Sequence, residues 1–366
     1  MKIVISPIGT SSLTNGADEQ TRSILNTYAN ARRREEIPQQ ILAILDAYIA
    51  KRKAAFAVMD RDAAKKSSAE LHSLLILLEE HPPQARDRYY LIPTSTYIGE
   101  ITYRIVLEYL EAMGLDVHTI RINGLQTNSS RDLHLAFSDL VVEIDALYQS
   151  YKPQNAKIIF NLTGGFKAIQ GFLQTLSVVY ADETVYVFER ESELMRIPRL
   201  PVKMVAEDYI RDNPLIWRRL ALGQSVDADQ LTDIPSTFLF ELDGQIILSE
   251  YGNLLWQNVK TELYKEGILP CPSSKAQYSP KFEKSTLGLS PDRYYQLNRQ
   301  IDVLCRYLES ERQDMLKSLS FKKISDNAVA GSTHEFYAWS DDGAKRVFCH
   351  YSEANVLILD ELDNHL

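Results

Sequence analysis

Cysteine is scarce in this sequence. The three present, Cys271, Cys305 and Cys349, are too few and too scattered for a disulfide framework or a cysteine zinc site. Long apolar runs are missing too: no stretch of 18 apolar residues occurs, so no membrane span is expected. The opening MKIVISPIGTSSLTNGA has no cleavable apolar core and reads as a strand and a turn, so a cytoplasmic protein is expected. Basic side chains are in deficit, 40 Lys and Arg against 49 Asp and Glu, for a formal charge of −9. That balance argues against broad, non-specific nucleic-acid binding but leaves room for a small basic site. Neither G-x-x-x-x-G-K-[ST] nor G-x-G-x-x-G occurs, which disfavours an NTPase and an ordinary dehydrogenase. There is no internal repeat and no low-complexity tract.

What is there is the composition of a folded globular protein, 45% hydrophobic and 24% charged over 366 residues, a length that suits two or three domains. Residues 1–205 alternate strand and helix. Strands are expected at 2–6, 87–92, 116–121, 156–161 and 184–189. Helices are expected at 37–52, 100–113 (stopped by Gly114), 133–150 and 165–180. This βαβ order predicts a parallel sheet with helices on both faces. Residues 206–270 carry a hairpin signal, 238–242 and 245–248 around Asp243-Gly244, then an apolar-periodic helix. Ile268–Pro272 reads as a linker. Residues 271–366 place a helix, 291–308, before strands at 335–339, 345–351 and 355–360, a small α+β domain with an antiparallel meander.

Two loops of the first domain are candidates for holding an anion. Gly9-Thr10-Ser11-Ser12-Leu13-Thr14-Asn15 follows the first strand. Asn161-Leu162-Thr163-Gly164-Gly165-Phe166-Lys167 joins a later strand to a helix. In a parallel sheet such loops sit at the carboxyl ends of strands, where ligands bind. Glycines let backbone N–H groups approach a phosphate, and the helix start carries partial positive charge. Pro93-Thr94-Ser95-Thr96 is a third polar loop at a strand end. The alternative reading of Gly164-Gly165 is a tight strand-to-helix turn with no ligand.

GTSSLTN and NLTGGFKAI resemble the loops of the CARF domain, the CRISPR-associated Rossmann-fold sensor, a resemblance that covers about the first 200 residues. It implies a Rossmann-like homodimer binding a cyclic oligoadenylate across its two-fold axis, cyclic tetra-adenylate being the usual activating ligand. The residues it points to are Gly9, Thr10, Ser11, Ser12, Thr94, Ser95, Thr163, Gly164, Gly165 and Lys167.

Tyr278-Ser279-Pro280-Lys281-Phe282-Glu283-Lys284, the long helix and the meander resemble the RelE/ParE toxin fold, over about 90 residues. Gly343-Ala344-Lys345-Arg346-Val347-Phe348 resembles the strand that carries a functional arginine in ribosome-dependent mRNA interferases. RNA cleaves itself without metal or catalytic cofactor when a base takes the 2′-OH proton, a cation steadies the phosphorane and an acid protonates the leaving oxygen. The resemblance points to Arg346 as the cation. Glu335 is the candidate base, with Tyr337 or His334 as alternatives, and His365 is the candidate acid. Lys322, Lys323 and Lys345 are candidates for gripping RNA. His334 and Glu335 alternate across their strand, so one site does not readily take both. Arg346 has a plainer possible role, pairing with Asp341 or Asp342. Residues 271–366 hold 12 basic and 14 acidic side chains, unlike the strongly basic RelE toxins, which suggests that the ribosome supplies the mRNA in place.

The domains expected are thus a CARF sensor (1–205), a winged-helix-like linker (206–270) and a RelE-like ribonuclease (271–366). The function expected is a cyclic oligoadenylate-activated, ribosome-dependent endoribonuclease of type III CRISPR antiviral defence. Two alternatives stand beside it. One is a winged-helix transcription regulator, against which the net charge of −6 over 206–270 argues, so no DNA partner is expected. The other is a ring nuclease degrading its own activator through Ser11 and Lys167.

Overall fold

The computed structural model describes residues 1–188, 193–201, 206–310, 319–324, 329 and 331–364. The chain divides into two compact units, Met1–Lys203 and Met204–Leu366.

The first unit is built on a six-stranded sheet: β1 (Lys2–Pro7), β2 (Arg88–Ile92), β3 (Val117–Thr119), β4 (Lys157–Asn161), β5 (Glu183–Tyr186) and β6 (Met195–Pro198), in the order β3-β2-β1-β4-β5-β6. The first five strands pair in parallel, and β6 runs antiparallel beside β5. β1 and β4 are buried on both faces, which is why they read as continuous apolar runs. Val4 and Ile159 pack into a core with Leu42, Leu45, Leu71, Leu74, Ile98 and Ile105 from the helices Gln39–Ala57, Ala69–Glu80 and Tyr97–Ala112. Ile3, Ile5, Ile158 and Phe160 alternate with these and are also buried, facing the other side. There the helix Lys167–Tyr180 lies against β4 and β5 and meets the helix Ser130–Tyr151, with Phe137 stacked on Phe172 at 4.2 Å between centroids.

The sheet order places the topological switch point between β1 and β4, the two strands whose following loops are the sequence candidates. The expected helix at 165–180 begins two residues later, because Gly165 holds a positive φ of 92°, which is not helical. Gly114 stops its helix with φ 78° as expected. The helices Arg61–Ser67 and Ala69–Glu80 and the strand β6 were not anticipated.

In the second unit, β7 (Leu239–Leu242) and β8 (Gln245–Leu248) form the expected hairpin. Asp243 and Gly244 both have positive φ, 51° and 79°, as a type I′ turn requires. The helix Glu250–Glu266 follows, and Trp217, Leu220, Leu248, Leu255, Val259 and Leu263 share one apolar cluster. A five-stranded sheet completes the unit: β9 (Ala276–Tyr278), β10 (Lys322–Lys323), β11 (His334–Trp339), β12 (Lys345–Tyr351) and β13 (Leu357–Asn364), in the order β10-β11-β12-β13-β9. The meander β11-β12-β13 is antiparallel as expected, and β9 joins β13 in parallel. β13 starts at Leu357 rather than 355, since Asn355 is a turn residue with φ 59°. The helix Pro291–Ser310 lays Leu297, Ile301, Leu304 and Leu308 on Phe336, Ala338, Val347 and Leu359.

Segments 206–270 and 271–366 lie within this one unit, joined by buried polar groups. Arg218, fully buried, donates to Asp302 at 2.6 Å and to the carbonyl of Asn298 at 3.0 Å. Asn298 in turn bonds the backbone of Tyr264, Gly267 and Leu269. Burial works to lower the Arg218 pKa, but the Asp302 carboxylate outweighs it and holds the guanidinium charged. Among the described residues no helix is long and apolar enough to cross a membrane.

Candidate functional site

The switch-point loops of the first unit meet around a carboxylate that sequence reasoning missed. Glu70, in the first turn of the Ala69–Glu80 helix, is 3% exposed. Its Oε1 accepts from the Gly9 amide at 2.8 Å; its Oε2 accepts from the Ser11 hydroxyl and from the Ser68 hydroxyl at 2.7 Å. Ser11 Oγ also accepts from the Ala69 amide at 2.8 Å. Gly164 touches the same side chain: a Cβ there would sit 2.2 Å from Glu70 Cγ. A Cβ on Gly9 would lie 3.0 Å from the Gly165 nitrogen, so the two loops touch backbone to backbone. Glycine is therefore required at 9 and 164 for close approach and at 165 for its positive φ.

Other expected ligand residues divide by exposure. Lys167 is exposed at the start of its helix, beside amides that lack intrahelical acceptors, and Thr10 is half-exposed at the start of the short helix Ser11–Thr14. Ser12, one residue past Ser11 on that turn, is buried instead, and its carbonyl accepts from Arg52 at 2.7 Å. Thr163 Oγ1 accepts from the Val187 amide at 3.0 Å and donates to Asn161. Thr94 packs on Gly99, where a Cβ would collide with its hydroxyl, and lies 3.1 Å from the Thr96 hydroxyl. Ser95 is committed to the loop after β3: it donates to the Ile122 carbonyl at 2.6 Å and accepts from the Leu125 amide.

In the second unit the meander brings Arg346, Glu335, Tyr337 and Lys322 together on the sheet face away from the Pro291–Ser310 helix. Arg346 stands opposite Tyr337 across β11 and β12, its guanidinium 3.7 Å from the ring centroid. Its Nη1 lies 3.0 Å from Glu335 Oε1, and Lys322 Nζ lies 3.1 Å from the same oxygen. Arg346 is 2% exposed and Glu335 4%, so this is a buried ion pair. Arg346 Nε and Nη1 and Glu335 Oε2 have no hydrogen-bond partner among the described residues, so the contact has the distance but not the angle of a hydrogen bond. Arg346 thus bonds neither hairpin acid; Asp341 pairs with Arg293. Tyr337 borders a cavity of about 470 Å³ shared with Arg299 and Trp339.

His334 is on the opposite face from Glu335, as alternation predicts. It stacks on Phe321 at 5.3 Å and meets Tyr351 edge-on, and burial, with Lys323 second, lowers its pKa. Lys323 is exposed opposite His334, and Lys345 is half-buried at the start of β12. His365 lies outside the described residues. His350, which the sequence suggests is packed or on the surface rather than catalytic, has its Nδ1 2.8 Å from Asp360, which also accepts from Ser332. It shares Arg346's face, but four residues along a strand is about 13 Å, too far to reach the same phosphate.

Residues 65–200 match the family model of a CRISPR-associated protein, Cas_APE2256. That segment includes Glu70, Thr94 and the Gly164–Lys167 loop. Among solved structures, Enterococcus italicus Csm6 bound to cyclic hexa-2′-fluoro-hexa-dAMP is similar at 14% identity, over 87% of this chain and 65% of that chain, with a TM-score of 0.26. The chain therefore spans about two-thirds, 65%, of that Csm6 chain's length. No curated protein sequence matches.

Proposed function

We propose that this chain is a CRISPR-associated effector in which a cyclic oligoadenylate, cyclic tetra-adenylate by preference, binds the first unit of a homodimer and activates mRNA cleavage at the ribosome by the second. The observation that carries the reading is that the CRISPR-associated family match, 65–200, includes the Gly164-Gly165 loop, which lies at the switch point of the parallel sheet. Backbone N–H groups at the Lys167 helix start and the Lys167 ammonium supply the positive potential that phosphates need. Gly9 and Gly164 let the two loops close on each other and on Glu70, which sets the shape of the site.

For the second unit the reading rests on Arg346, whose Nε and Nη1 have no hydrogen-bond partner among the described residues and which lies beside a carboxylate and a phenol. Glu335 takes the proton of the attacking 2′-OH, with Tyr337 as the alternative base, Arg346 stabilises the phosphorane, and His365 protonates the departing 5′-oxygen. Both members of the ion pair are buried, so substrate or activation must uncover them, which suits an enzyme that is silent at rest. Lys322, Lys323 and Lys345 border the β10–β12 strands as phosphate contacts.

The test is cleavage of mRNA on programmed ribosomes with and without cyclic tetra-adenylate, with 5′ ends mapped. Arg346→Lys is the informative variant, because it keeps the charge beside Glu335 while losing the planar fork. Cleavage that needs both ligand and ribosome, and falls by about 100-fold or more in Arg346→Lys, supports the reading. Equal cleavage of naked RNA removes the ribosome from it. No cleavage with any cyclic oligoadenylate moves the regulator reading, which rests on the β7–β8 hairpin and the helix after it, to first place.

A second activity has one specific observation behind it. Ser11 donates to a buried carboxylate while Lys167 stays exposed, an arrangement that would let the first unit position a ribose 2′-OH and open its own activator. Linear product from cyclic tetra-adenylate, absent in Ser11→Ala, tests it.

A further inference from the structure

We propose that Cys271 and Cys305 form a peroxide-oxidisable pair that closes into a disulfide and fastens the Pro270–Pro272 segment to the Pro291–Ser310 helix. The two sulfurs lie 3.6 Å apart, and both thiols are free. A disulfide needs about 2.05 Å, so closure is a movement of roughly 1.5 Å, within reach of side-chain rotation.

The pair has the division of labour that oxidation requires. Cys271 is half-exposed and borders an open cavity of about 840 Å³ that also touches Gly267, Pro270, Ser273 and Tyr278. Cys305 is fully buried behind it. The backbone on either side of Cys271 is pinned: Arg218 donates to the carbonyls of Leu269 and Pro270 at 3.3 and 3.0 Å, and Arg219 to that of Pro272 at 2.8 Å. The hydrogen bond with Cys305 holds the Cys271 thiol below its ordinary pKa against the opposing effect of burial, and the Ser273 backbone and Arg218 add to the lowering. The same hydrogen bond, and burial, push the Cys305 thiol up. Cys271 is thus the attacking thiolate and Cys305 the resolving thiol.

The chemistry balances with hydrogen peroxide as oxidant. The Cys271 thiolate attacks one peroxide oxygen, the O–O bond breaks, and the departing hydroxide takes a proton to become water, leaving a sulfenic acid. The Cys305 sulfur then attacks the Cys271 sulfur, its proton goes to the leaving hydroxide, and a second water departs. The bond closes a loop between positions 34 apart and ties the Pro270–Pro272 segment, whose carbonyls Arg218 and Arg219 hold, to the Pro291–Ser310 helix. Neither cysteine takes part in the ligand loops or the Arg346 site, so the pair can oxidise whether or not the chain cuts RNA.

The test treats the full chain with dilute hydrogen peroxide and follows intact mass, peptide map and melting. The expected result is a loss of two hydrogen masses, a cross-linked pair of peptides carrying Cys271 and Cys305, and a melting temperature raised by roughly 5–10 °C, all reversed by dithiothreitol. Cys305→Ser should stop the reaction at a sulfenic acid on Cys271 that dimedone traps, whereas Cys349→Ser should change nothing. Oxygen added to Cys271 without a cross-link in the unaltered chain, a cross-link between chains, or unchanged thiols would each overturn the proposal.

Discussion

Removing the Glu70 carboxylate leaves the Gly9 amide and the hydroxyls of Ser11 and Ser68 without their acceptor. An unsatisfied buried donor costs about 1–3 kcal/mol, and three of them share one site. Glu70→Ala is therefore expected to destabilise the first unit by about 2–4 kcal/mol in urea unfolding. It should also weaken cyclic tetra-adenylate binding by at least tenfold in calorimetry. Undiminished affinity would mean that the loops hold their shape without it. The glycines at 164 and 165 could be singled out in sequence because an adjacent pair between strand and helix marks a tight turn, and their close approach to Glu70 and positive φ bear that turn out. Glu70 was not, because it stands 61 positions from Gly9 and the fold alone brings them together. Likewise Arg346 could be singled out from its strand, but its partner could have been any of several acids.

His334 gives a pH dependence with a definite sign. Burial, then Lys323, lowers its pKa in the folded chain below the ordinary 6.5. Above about pH 6.5 both states hold it neutral and the fold keeps its full stability. Below that the unfolded chain binds the proton first, so stability is lost as pH falls through the lower folded pKa. His334 is half-exposed, so screening keeps the effect small. The urea midpoint should therefore fall between about pH 7 and pH 5 by less in His334→Gln than in the unaltered chain. An identical fall in both would assign the acid limb to other groups.

At the scale of elements, periodicity revealed most strands and helices, and departures fall where the pattern is silent. The Ala69–Glu80 helix was missed because Leu71, Leu74, Leu75, Ile76, Leu77 and Leu78 are all buried, leaving no polar face to set a period. β6 was missed because an exposed four-residue edge strand carries little alternation. The hairpin was legible because Asp-Gly names its own turn, and that turn allows a clean test. A Cβ on Gly244 would meet nothing within 4 Å, and the residue's φ is 79°, so a side chain there faces backbone strain alone. Gly244→Ala is expected to cost about 1 kcal/mol and lower the second unit's melting temperature by roughly 2–4 °C. No change would mean that the hairpin tolerates another turn type.

At the scale of the whole molecule, two compact units pose the question of how binding in one is felt in the other. A ligand that binds only the folded first unit stabilises it by about 2.7 kcal/mol at a hundred times its dissociation constant. That effect moves the first unit's melting transition whether or not any signal passes. Activation requires more: the ligand must favour the arrangement in which Arg346 and Glu335 are accessible over the one in which they are buried. The expected outcome is that cyclic tetra-adenylate raises the first transition in scanning calorimetry. In the same samples it should speed amide hydrogen exchange along Glu335–Tyr337 and Arg346–Phe348 by several-fold, with β7 and β8 unchanged as an internal reference. Faster exchange in the meander with slower exchange around Gly164 would tie the two units into one switch. A shifted transition with an unaltered meander would leave the first unit a binding module, and the control of Arg346 would then have to come from the substrate.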